Sequence, residues 1–183
     1  MLLCGIVFFG CLTREETVQT KNYIDAAQAD IRTKRGVTYL GRLPLTGIVY
    51  SLGAGGDTTM TVPYVNGKES GIARAWYDSG KLKELRLFVD GKKSGTHYGW
   101  YESGARRFEY SYHNDEFDGA YNEWLPDGKP LLALHFKDGH ESGLQQTWFE
   151  NGTIKSNYLI KNGRRYGLLG TNTCVTVSDS IPR

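Results

Sequence analysis

At 183 residues, with 39% hydrophobic and 23% charged side chains, the chain has the make-up of one ordinary domain or a short repeat array, which excludes a large multidomain enzyme and a disordered tail. Its 22 basic and 20 acidic residues nearly cancel, so bulk charge gives no reason to expect nucleic acid or an acidic lipid surface. The 23 glycines are close to twice the usual share of about 7%, aromatics reach 13% and prolines number only 5, a mixture that favours strands joined by tight turns.

In chain order, the first feature is an uncharged run from Leu2 to Thr13, too short for the ~20 apolar residues of a membrane-spanning helix and readable instead as a leader over residues 1–11. It ends Phe8-Phe9-Gly10-Cys11, which resembles the lipobox at which bacterial lipoproteins are cleaved and acylated. Cys11 is therefore the expected lipidation site, and a lipid-anchored place in a bacterial cell envelope the expected location. The competing readings are a plain hydrophobic leader, an N-terminal core segment, and a cytoplasmic protein. Cleavage there would remove Cys4 and leave Cys174 alone, with no intramolecular disulfide. The three cysteines show no metal-ligand spacing.

Residues 12–46 read as an N-terminal cap. Thr13-Arg14-Glu15-Glu16 has capping-box spacing and Ile24, Ala27 and Ile31 share a helical face, which predicts a short helical segment over Thr13–Arg35. Val37–Leu40 reads as a strand leading through Pro44 into a first repeat that begins at Gly47.

From Gly47 to Tyr166 the chain repeats with a period of 24 residues. All four tryptophans, Trp76, Trp100, Trp124 and Trp148, keep that spacing. So do Gly47, Gly71, Gly95, Gly119, Gly143 and Gly167, the turn glycines Gly56, Gly80, Gly104, Gly128 and Gly152, and the row Tyr64, Phe88, Tyr112, Phe136 and Ile160. Five units span 47–166, the first carrying Leu52 in place of Trp. Each reads as two strands and two turns, with Asn-Gly or Asp-Gly signals of the type I′ hairpin, as at Asn66-Gly67, Asp90-Gly91 and Asp138-Gly139. Asn114-Asp115 breaks that rule and predicts a strained or altered turn. Two-residue turns would place Gly71 across from Phe88 and Gly119 across from Phe136, the aromatic covering the bare glycine, and each Trp across from Lys83, Arg107, Leu131 or Lys155. Alternation in Phe108, Tyr110 and Tyr112, and in Leu132, Leu134 and Phe136, is that of strands. The expected fold is all-β: an elongated antiparallel meander of 24-residue hairpins. Residues 167–183 would cap its end, Cys174–Val177 adding a final strand.

The unit from Gly71 to Lys92, Gly-x4-Trp-Tyr-x2-Gly-Lys-Leu-Lys-x4-Phe-x-Asp-Gly-Lys, resembles the MORN-repeat variant found in bacterial proteins of the YwqK-type antitoxin family. The resemblance implies a non-enzymatic hairpin array that acts as an interaction scaffold, with a protein partner such as a toxin and no cofactor. The leader followed by Pro44-Leu45-Thr46-Gly47 is similar to that of envelope-associated members.

Residue chemistry points the same way. His97, His113, His135 and His140 occupy four different repeat positions and read as surface or turn histidines, not as a catalytic or metal-binding set. Glu102, Glu109, Asp115, Glu116 and Asp118 are spread along an open sheet. Gly53-Ala54-Gly55-Gly56 lacks the Lys-Ser/Thr of a phosphate loop, and Asn151-Gly152-Thr153 reads as a turn before it reads as a glycosylation sequon. Basic residues outnumber acidic six to three in 71–94 and four to one in 143–166, while acidic residues lead five to two in 95–118 and four to two in 119–142. An acidic centre interrupts any basic stripe and argues against nucleic acid. The tryptophan row is either a structural spine or an exposed strip. As a strip, Trp76, Trp100, Trp124 and Trp148 would take cell-wall glycan or choline-like groups by stacking and cation–π contact. As a spine, they would be satisfied by Arg or Lys side chains of the array itself.

Overall fold

A computed structural model describes residues 22–170. Eighteen strands make up the regular structure, and no helix occurs among the described residues. Before the repeats come β1 (Tyr23–Asp25), β2 (Ile31–Lys34), β3 (Val37–Leu40) and β4 (Leu43–Pro44). The repeats contribute β5 (Gly47–Leu52), β6 (Thr58–Val65), β7 (Lys68–Glu69), β8 (Gly71–Trp76), β9 (Leu82–Val89), β10 (Lys92–Lys93), β11 (Gly95–Trp100), β12 (Arg106–His113) and β13 (Glu116–Trp124). They continue through β14 (Pro130–Lys137), β15 (His140–Glu141), β16 (Gly143–Trp148), β17 (Ile154–Lys161) and β18 (Arg164–Leu168).

One sheet runs β1-β5-β6-β8-β9-β11-β12-β13-β14-β16-β17-β18; from β5 onward each strand lies beside its neighbour in sequence once the short β7, β10 and β15 are set aside, while β1 reaches β5 across the intervening β2, β3 and β4. All its pairings are antiparallel except β1 with β5. Twelve strands about 4.8 Å apart make a ribbon of roughly 50 Å. Among the described residues the one other sheet is the three-stranded β2-β3-β4, so the repeats themselves make a single layer.

The helix expected over Thr13–Arg35 is not present from residue 22 onward; Thr13–Glu16 lies outside the described residues. Ile24 sits in β1 and Ile31 in β2, so Ile24, Ala27 and Ile31 share no helical face. The sheet edge supplies the competing interaction. Ile48 N donates to Asn22 O at 2.8 Å and Ala26 N to Tyr50 O at 2.9 Å, satisfying β5 groups that would otherwise be an open edge. An Asx turn at Asp25, whose Oδ1 accepts from Ala27 N at 2.9 Å, then bends the chain away. Val37–Leu40 is a strand, as its sequence indicates. It belongs to a separate small sheet, β2-β3-β4, which clamps the first hairpin tip: Thr38 N donates to Gly67 O and Gly67 N to Leu45 O, both at 2.7 Å, and Leu45 is fully buried.

The two sets of turns differ. At 66–67, 90–91, 114–115, 138–139 and 162–163 both central residues have positive φ, the type I′ form. The Asn114-Asp115 turn keeps this geometry, with Asp115 at φ 73°. Its strain is offset by a bond that Gly could not make, from Lys93 N to Asp115 Oδ1 at 2.8 Å. The other set is not two-residue. Tyr77 N donates to Lys81 O and Gly80 N to Tyr77 O, a type I turn closed by a left-handed glycine, and the same pair of bonds recurs at 101–105, 125–129 and 149–153. The extra loop residue is followed by a bulge that shifts register by one. Trp76 therefore faces Leu82, Trp100 faces Arg106, Trp124 faces Pro130 and Trp148 faces Ile154, in place of the partners expected from sequence.

Beyond that bulge, the expected register holds. Gly71 faces Phe88 and Gly119 faces Phe136. The glycine is required there by its backbone more than by the aromatic opposite: Gly119 has φ 116°, and a Cβ would press on Ser111 Cβ at 3.0 Å.

A candidate interaction face

Strand alternation gives the sheet two unlike faces. The inner one carries the buried side chains Val49, Ala73, Phe88, His97, Phe108 and Gln145. The outer one carries the cross-strand pairs Ile72–Leu87, Thr96–Ser111, Ala120–His135 and Leu144–Leu159.

With no layer to pack against, the inner face is covered by its own rings. Phe108 stacks on Tyr110 at 4.5 Å and Tyr110 on Tyr121 at 4.2 Å; Tyr112 stacks on Phe117 at 4.7 Å, and Phe117 meets Phe136 at 5.3 Å. Beside this mesh lies a groove of about 490 Å³ lined by Arg86, Lys93, His97, Arg107, Tyr112 and Glu123 among others.

The groove's charges are largely consumed within the protein. Glu84 holds both Arg86, at 2.5 Å, and Arg107, at 2.9 Å. Glu123 accepts from the Tyr110 hydroxyl and, at 3.2 Å, from that of Tyr121. Burial, reinforced by the Glu123 carboxylate, holds the Tyr110 phenol far above its usual range, so it stays a donor. Lys93 lies over the Tyr112 ring at 5.2 Å. Burial also raises the Glu69 carboxyl, with Arg86 opposing the rise.

Trp76, Trp100, Trp124 and Trp148 are all half-buried at strand ends, two strands or roughly 10 Å apart along the ribbon. Trp100 is engaged internally: the Arg106 guanidinium lies 4.7 Å from its ring centroid and the Tyr98 ring 6.0 Å. Stacking by a basic side chain was the expected satisfaction, though the residue is Arg106 and not Arg107. Lys83 and Lys155 lie over Tyr77 and Phe149 instead. Successive units are also stapled beside the row, Tyr77 Oη donating to Trp100 O and Tyr101 Oη to Trp124 O, each at 2.8 Å. Cys11 and Cys174 lie outside the described residues.

The histidines divide. His113, His135 and His140 are exposed, but His97 is only 2% exposed, against the surface position expected of it. Its Nε2 donates to Leu87 O at 2.8 Å; burial lowers its basicity, against the opposing pull of that bond and of Glu84, with Arg86 and Lys93 pressing the same way as burial. The signal was available in the period. Gln145 stands 48 residues on, is fully buried, and donates from Nε2 to the corresponding carbonyl, His135 O, at 2.7 Å. Gly53–Gly56 forms the hairpin loop of the first unit, Gly56 N donating to Gly53 O. Asp118 pairs with Lys137 at 3.1 Å, and the other acidic candidates remain scattered. Among the described residues no three His, Cys, Asp or Glu groups are placed to hold a metal ion.

The family model described as MORN repeat variant matches residues 69–90. That span is one structural unit, from the end of β7 through the β8–β9 hairpin to the next type I′ turn. The remaining units share its period and ladder register. No curated protein matches the chain. MORN repeats are typically non-enzymatic binding modules, which accords with a scaffold role.

Proposed function

We propose that this chain is a non-enzymatic protein-interaction scaffold held at a bacterial envelope by a lipid on Cys11, with an antitoxin-like role as its soluble counterpart. The observation that carries the reading is the single-layer sheet, whose inner charges are largely paired and whose outer face is apolar where the units are basic. Ile72 is 38% exposed, and Leu144, Leu159 and Tyr166 are 49%, 43% and 46% exposed. The last three stand directly beside one another across β16, β17 and β18. Large apolar side chains held on a rigid sheet, rimmed by Lys155, Lys161 and Arg164, suit an apolar partner surface with acidic surroundings.

Affinity capture from membrane and soluble fractions, compared between the unaltered chain and the Leu144→Asp/Leu159→Asp variant, tests this. The reading expects a protein partner that is lost with the variant while the melting temperature holds, and membrane partitioning that is lost with Cys11→Ser. Capture unaffected by the variant would overturn the outer-face assignment. Binding to cell-wall glycan that disappears on Trp124→Ala would replace the scaffold with a ligand strip.

A further inference from the structure

We propose that His97 is a proton-operated latch at the junction of the second and third repeats: neutral, it ties β11 to β9, and protonated, it releases them. The junction is thin. Only Tyr98↔Leu85 and Gly99↔Glu84 pair these strands, two pairs as at β14–β16, and the register changes between them and the β9–β10 pairs Lys92↔Val89 and Lys93↔Phe88, where Ser94 N bonds Leu87 O at 3.0 Å. His97 bridges that gap by donating to the second lone pair of the same carbonyl. Its ring is held between Phe88 and Tyr112, at centroid distances of 5.6 and 4.6 Å.

A carbonyl only accepts, so Nε2 carries the proton of the neutral ring and the bond is satisfied without charge. A second proton would place a cation on a side chain that is almost wholly buried and has cations for neighbours. β9 presents Arg86 and Glu84, β10 presents Lys93, and β12 presents Tyr110, Tyr112 and Arg107, with Glu123 of β13 across the groove. Glu84 is the carboxylate nearest these cations and is already shared between Arg86 and Arg107. Tyr110 and Tyr112 stay protonated and offer no counter-charge. The Nε2 bond to Leu87 O persists in the charged ring and favours it, as does Glu84, but burial outweighs both, so the cation is better accommodated when the junction opens and water reaches it.

The sign follows from linkage. A histidine whose folded basicity is depressed leaves stability intact above its ordinary value of 6.5 and removes it as pH falls below that value. The chain contains its own control: at the fourth-to-fifth junction Gln145 makes the same bond to His135 O and cannot titrate. Acid should thus loosen one junction and spare the other, leaving a hinge between residues 47–94 and the rest of the array.

Amide hydrogen exchange of the full chain, corrected for intrinsic rates, tests the latch. Between pH 7.5 and pH 5, protection across β9 and β11 should fall measurably, while β14 and β16 hold theirs. His97→Gln, which copies the Gln145 bond, should abolish the pH dependence, and Gln145→His should create one at β14–β16. Unchanged protection in the native chain, or a loss that persists in His97→Gln, would overturn the proposal. Should the variants fail to fold, the His97 ring can be titrated by NMR in the unaltered chain. A midpoint well below 6.5 supports the latch, and one at or above that value refutes it.

Discussion

Replacing Gly99 with Ala is expected to destabilise the array through one contact. Gly99 lies opposite Phe108, and a Cβ built on it falls 2.1 Å from Phe108 Cε1 and 2.5 Å from Cδ1. Carbon atoms in packed interiors rest about 3.5–4.0 Å apart, so the ring has to retreat by more than an ångström. It has little room to do so, since Phe108 stacks on Tyr110, which in turn stacks on Tyr121. Overpacking of this kind costs about 1–3 kcal/mol, which lowers the melting temperature by about 2–4 °C per kcal/mol in a chain of this size. Gly99 is not in a left-handed conformation, so the effect is steric. Phe108→Ala alone should cost about 3–5 kcal/mol, the ring being 5% exposed. In that background Gly99→Ala should become neutral or gain up to about 1 kcal/mol, because Ala loses less backbone entropy than Gly. Thermal melts of the four-member cycle give the coupling directly. Equal damage from Gly99→Ala in both backgrounds would refute the packing argument.

Asp115→Ala should destabilise by about 1–2 kcal/mol, losing the Lys93 bond while keeping positive φ, whereas Asp115→Gly should be within about 0.5 kcal/mol of the native chain because relief of strain offsets the lost bond; chemical denaturation separates the two. Phe136→Ala should lower stability by a few kcal/mol, as a ring in contact with Phe117 and Tyr121; an unchanged melting midpoint would place that ring outside the packed mesh. Burial raises the Glu69 carboxyl above its ordinary 4.5, so the ionised form weakens the fold at neutral pH and the penalty fades as pH falls through the raised value towards 4.5 and below. Glu69→Gln should therefore raise the melting temperature at pH 7 and not at pH 4; a gain that is the same at both would assign the effect to something other than charge.

The period and most of the ladder were legible in the sequence because they rest on residue types with few alternatives. Asn-Gly and Asp-Gly specify the type I′ tips, and from those tips Gly71–Phe88 and Gly119–Phe136 follow by counting. The Trp partners did not follow. Ser79-Gly80 and Asp127-Gly128 look like two-residue turns, yet they close three-residue loops whose bulge moves Trp76 to Leu82 and Trp124 to Pro130. Dipeptide identity does not set loop length. The helix over Thr13–Arg35 failed at Ile24 for a related reason: an i, i+3, i+7 pattern was weighed without the unsatisfied edge of β5, which a strand answers and a helix cannot. His97 was misplaced because histidine is usually exposed, and its burial follows from the carbonyl that the Ser94 bond leaves with a free lone pair. That demand is three-dimensional, and only Gln145 at the same repeat position hinted at it.

The scaffold reading stands or falls on which surface a partner covers. Hydroxyl-radical footprinting of the complex captured from native membranes, set against the free chain, reads this side chain by side chain. The account predicts protection of Ile72, Leu144, Leu159 and Tyr166, with Phe108 and Tyr110 unchanged. Protection confined to Trp76, Trp100, Trp124 and Trp148, with the outer-face leucines still reactive, would contradict it.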